Sequence, residues 1–117
     1  MTRQYDVCRI TGLRAESPVD LAVVLQDETL SDLTTRVIAP LVPVGERHRV
    51  ERATPVVDLD KVRYMVAMHL VTTIPRRNLG QVVANLGELE RQLKAAIDAV
   101  FFGVLAGAGG PSEDGRQ

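Results

Sequence analysis

From Lys61 to Val71 the chain reads KVRYMVAMHLV, and its side chains alternate. Val62, Tyr64, Val66, Met68 and Leu70 fall on one face of an extended segment, and Arg63, Met65, Ala67 and His69 on the other. The pattern predicts a strand over 61–71. Its second face is only half polar, and Met65 and Ala67 there predict a covered surface, a contact with another subunit. Asp60-Lys61 separates this run from TPVVDLD (54–60), a spacing that predicts a hairpin. Upstream, YDVCRI (5–10), PVDLAVVLQ (18–26) and TTRVIAPLVPV (34–44) read as further strands. Pro40 and Pro43 lack an N–H, which predicts an edge or a bulge for the last of these. ETLSDL (28–33) predicts a helical turn.

After residue 85 the period changes. Leu86, Leu89, Leu93, Ala96, Ile97, Val100, Phe101 and Val104 recur at helical spacing, and Asn85 three residues before Glu88 forms an Asn version of the capping box. The architecture expected is one mostly antiparallel sheet with a C-terminal helix. With a turn of roughly 100° per residue from Leu89, the apolar stripe runs through Leu93, Ala96, Ile97, Val100 and Val104, with Phe101 at its flank. Phe102 lands almost opposite, beside Arg91, Ala95 and Asp98. This predicts that Phe101 is core and that Phe102 faces a protein partner. The alternative is a helix that frays before Gly103 and tucks Phe102 back into its own domain.

Composition narrows the class. The 117 residues fit one domain, assigned to 1–105, followed by a breaker-rich tail, AGAGGPSEDGRQ (106–117), that reads as disordered. A net charge of −1 argues against a protein that coats nucleic acid. Cys8 is the only cysteine, so neither an intrachain disulfide nor a cysteine zinc site can form, and a small core residue in a cytoplasmic protein is expected. The N-terminus MTRQYDVCRI lacks the apolar region of a signal peptide, and the longest uncharged run, 99–112, falls short of the ~20 apolar residues of a membrane span.

Candidate chemistry is sparse. His48 in GERHRVER reads as a loop histidine, His69 as a residue of the outer strand face, and Arg76-Arg77 as a solvated turn or a contact for a phosphate or an acidic partner. Asp58 and Asp60 flank Leu59 and fit a strand end better than an acid–base pair. No cofactor, metal ligand set or catalytic constellation is expected, and the chain does not read as an enzyme.

VVLQDETLSDLTTRVIAPL (23–41), RATPVVDLDKVRYMVAMHLVTTIP (52–75) and NLGQVVANLGELERQLKAAIDAVFFGV (78–104), in that order, resemble the CcdB family. These are toxins of the ccd toxin–antitoxin system and poisons of bacterial DNA gyrase. The resemblance covers nearly everything except the last 13 residues. It implies an SH3-like small barrel with one C-terminal helix, and a homodimer whose helix ends meet near the two-fold axis and enter the gyrase A subunit. The family terminus Phe-Trp-Gly-Ile falls on Phe101, Phe102, Gly103 and Val104, so Phe102 takes the place of the tryptophan that stacks on gyrase. A family Asn one turn earlier becomes Asp98, and two isoleucines after the second strand become Thr29 and Leu30. The implied gyrase-binding set is therefore Phe102, Gly103, Val104, Asp98, Thr29 and Leu30, with Phe101, Met65 and Ala67 at the dimer interface.

The resemblance also implies a CcdA-like antitoxin whose disordered C-terminal segment wraps the dimer. DNA is reached only through that antitoxin, and no membrane is involved. The departures from the family are the loss of the indole at Phe102, the added charge of Asp98, Thr29 in place of an isoleucine and the C-terminal extension. The alternatives are a MazF-type endoribonuclease toxin of the same fold, for which His69, Arg76 and Arg77 are the available groups, and a non-toxic CcdB-like protein that only binds antitoxin.

Overall fold

Leu21–Val24 (β2) buries all four side chains, which requires cover on both faces of the sheet at its centre. The computed structural model describes residues 2–11, 20–30, 32–45 and 53–103; His48, Val104 and the 106–117 segment lie outside them. Around β2 the remaining strands are Asp6–Ile10 (β1), Thr35–Pro43 (β3), Val56–Leu59 (β4), Val62–Val66 (β5), Thr72–Pro75 (β6) and Leu79–Asn85 (β7), followed by one α-helix, Glu90–Phe102 (α1). The strands pair antiparallel in the order β4-β5-β3-β2-β1-β7, with β6 also on β3. The sheet curls into a half-barrel with the helix against it, as expected of an α+β small barrel.

Period-two alternation sorts the core into two sides. Val7, Leu21, Val23, Ala39 and Leu41 face the helix and pack with Leu93 and Ala96, which are fully buried. Cys8, Ala22, Val24, Ile38 and Ile74 pack on the opposite side. Burial raises the Cys8 thiol pKa to about 11, so it stays protonated as a small apolar residue.

Several sequence expectations need correction. β3 is interior, bonded to β2 on one side and to β6 and β5 in succession on the other. Its prolines fit because of where their nitrogens point. The Pro40 carbonyl accepts from the Ala67 N–H at 2.8 Å. A strand residue's N and O point the same way, so the Pro40 nitrogen faces the interval between the β6 pairing (35–38) and the β5 pairing (41–43). Pro43 faces the other side, beyond the last β2 pair, Leu21↔Leu41. The alternating run 61–71 is a strand only to Val66; Met68–Leu70 is a turn of 3-10 helix, after which the chain continues in the same direction along β3 as β6. Met65 and Ala67 are 6% and 0% exposed and pack with Val42 inside the same chain. The cover predicted from a second subunit is therefore already present, and little of either side chain remains for a partner.

The hairpin is as expected. Asp60 and Lys61 have φ of +52° and +68° between Leu59 and its partner Val62, the two left-handed residues of a type I′ turn that matches strand twist. Arg63 bonds its cross-strand neighbour Asp58 at 2.9 Å and holds that carboxyl below its usual range. Glu28–Leu30 supplies the expected helical turn, also of 3-10 type. The capping box is not formed. The Asn85 Oδ1 instead accepts from the Gly87 N–H at 2.8 Å, an Asx turn that leads into a 3-10 turn at Gly87–Leu89 before α1 begins. Among the described residues, no helix is long and apolar enough to cross a membrane.

Candidate functional site: the tip of the C-terminal helix

The N-terminal end of α1 is tied to the start of β1. Tyr5 is buried, with φ +71°, and its hydroxyl donates to Glu90 Oε2 at 3.0 Å. Burial, then that acidic neighbour, push the phenol pKa up to about 12. Next to it, the Asp6 carboxylate is buried and accepts from the Arg3 N–H at 2.8 Å and from the Asn85 amide at 2.9 Å. These contacts anchor the first turn, and nothing in the periodicity of the sequence signalled them.

From that anchor, burial decreases along the stripe. Leu93 and Ala96 are fully buried, Ile97 and Val100 only partly, and the tip is exposed: Phe101 is 60% and Phe102 76% accessible. Phe101 is therefore not core, contrary to the wheel. Its direction is that of the stripe, but it lies at the end of the helix, where the described residues leave most of the ring exposed. For Phe102 the wheel and the structure agree: it shares an exposed face with Arg91, Ala95 and Asp98. The helix does not fray there. Gly103 closes it in the left-handed conformation (φ +67°), donating its N–H to the Ala99 carbonyl at 3.1 Å.

The remaining site residues do not converge on this tip. Thr29 is exposed and donates its N–H to Asp27 Oδ1 at 2.7 Å, which lowers the Asp27 pKa. The neighbouring Glu28 carboxylate accepts from the Gln4 N–H at 3.3 Å. Thr29 and the Leu30 backbone therefore lie near Tyr5, at the start of α1. Thirteen helical residues, about 20 Å at 1.5 Å per residue, separate that end from Phe102. Asp98, Phe102 and Gly103 are together; Thr29 and Leu30 form a second locus within one chain. The groups proposed for ribonuclease chemistry are also apart. His69 precedes β6, and Arg76 and Arg77 follow it in a 3-10 turn. β6 spans four residues, about 13 Å at 3.3 Å per residue.

This curled antiparallel sheet with one terminal helix is shared with solved structures. It superposes on a solved structure described as an Mtb toxin with a TM-score of 0.63 at 22% identity, over 81% of this chain and 99% of that one. It also superposes on the Mycobacterium tuberculosis toxin MazF-mt6 with a TM-score of 0.65 at 22% identity, over 82% and 95%. The CcdB protein family model matches residues 4–103, and the chain belongs to the CcdB family. No curated protein matches the sequence.

Proposed function

We propose that the chain is the toxin of a toxin–antitoxin pair. It binds the gyrase A subunit through the helix tip, traps the cleaved gyrase–DNA complex, and is neutralised by a CcdA-like antitoxin. The observation that carries this reading is the exposed Phe102 ring at the capped end of a helix whose other face is buried. Asp98 lies one turn earlier on the same face. A ring and a carboxylate four residues apart suit an arginine, through a cation–π contact of roughly 0.5–2 kcal/mol and a charge-assisted hydrogen bond. Two tips, and the second locus at Thr29 and Leu30, act together in a homodimer, where Phe101 finds the cover it lacks in the single chain.

The protein carries out no catalysis of its own in this reading; it holds gyrase in the open state by binding only that state. The test is a gyrase reaction on supercoiled plasmid, stopped with detergent and protease. Linear DNA should accumulate with the wild-type protein and not with Phe102→Ala. Intact plasmid together with site-specific cleavage of RNA that is lost on His69→Ala would move the assignment to the ribonuclease class.

A further inference from the structure

β7 is a seven-residue strand without a single buried side chain. It ends the sheet, paired only with β1 among the described residues. Val82 and Val83 are adjacent, 44% and 41% exposed, so both sides of this edge offer apolar surface. An edge with no second strand partner among the described residues, flanked by exposed β-branched side chains, is the form on which another strand adds. The charges at its two ends differ. Arg76 and Arg77 precede β7 in an exposed turn, and neither has an ion-pair partner among the described residues. Arg9, on the neighbouring strand, is exposed and only loosely paired with Asp20 at 3.8 Å. The far end of β7 leads to the exposed Glu88.

We propose that the β7 edge is a docking site for an extended peptide of a protein partner, a segment of alternating β-branched residues that ends in acidic ones. It adds antiparallel to β7, so its acidic C-terminal end lies beside Arg76 and Arg77. A peptide fits better than a nucleic acid, because the edge offers amides and valines and no aromatic ring on which a base could stack. The inference rests on the edge alone and is independent of gyrase binding.

The experiment uses the full chain and a fluorescein-labelled synthetic peptide of alternating valine and threonine followed by three glutamates. Anisotropy should show saturable binding. It should be lost when a proline replaces the central valine, because a ladder hydrogen bond is removed, and reduced about tenfold in Arg76→Glu/Arg77→Glu, the worth of two surface ion pairs. Amide exchange should slow in β7 on binding. Thermal melts should show both proteins folded, since the two arginines are exposed. The proposal is overturned by any of four results: no binding at about 100 μM peptide; binding indifferent to proline; a single-stranded RNA that binds in place of the peptide and is lost with the same arginines; or β7 amides already protected without peptide at concentrations where the mass shows a β7-dependent dimer.

Discussion

The burial gradient along α1 predicts a ladder of stabilities for three truncations on one helix. Leu93 is fully buried among β-sheet side chains, and Leu93→Ala should cost about 3–5 kcal/mol, transfer and cavity together. Phe101 is 60% exposed, so about two fifths of a roughly 200 Å² side chain is covered. At ~25 cal/mol per Å² this is at most about 2 kcal/mol, and less for a compact unfolded chain. Phe102 is 76% exposed, which leaves about 50 Å² covered and a cost near 1 kcal/mol. Urea unfolding of the three variants at one low protein concentration gives the differences from the midpoints at a common slope. Repeating the series at higher concentration tests whether a partner covers Phe101: its cost should then grow while that of Leu93→Ala keeps its lead. A Phe102→Ala protein as unstable as Leu93→Ala would refute the reasoning, because the ring would then belong to the core.

Two further predictions concern the frame that holds the helix. The Tyr5 phenol has its pKa raised to about 12 in the fold against an ordinary value of 10.0. Its contribution is therefore fully present below pH 10 and lost as pH rises from about 10 to 12, a loss of about 2–3 kcal/mol; Tyr5→Phe should flatten that part of the stability–pH curve. Lys61 at φ +68° pays for a left-handed backbone that glycine adopts freely, so Lys61→Gly should stabilise the hairpin by about 1 kcal/mol in a thermal melt; destabilisation would show that the lysine side chain holds the turn.

What the sequence revealed depended on how local the cause was. The Asp60-Lys61 turn and the phase of α1 were legible because two residues fix a hairpin and 3.6-residue spacing fixes a helical face. The edge reading of β3 erred because a proline is excluded only where its nitrogen meets a donor's place in the ladder, and the break between β5 and β6 removes that place at Pro40. β7 leaves no alternation in the sequence because none of its residues is buried. The alternation of 61–71 runs past the end of the strand because Met68 continues it from a 3-10 turn, buried against the helix. Phe101 departs from the wheel for a different reason: a wheel gives direction around the helix but not how far the cover extends along it. Of the candidate site, the outward face of Phe102 and Asp98 was legible, whereas the separation of Thr29 from it follows from the Tyr5–Glu90 anchor, a contact between residues 85 positions apart.

The central claim is that Phe102 binds gyrase without holding the fold. Calorimetric titration of a gyrase A dimerisation fragment with the wild-type protein and with Phe102→Ala tests it most directly. The account predicts saturable binding of the wild-type protein and an affinity loss of at least about tenfold, 1.4 kcal/mol, for a Phe102→Ala protein that melts within a few degrees of the wild type. Equal affinity of the two folded proteins, or no binding by either, would contradict it.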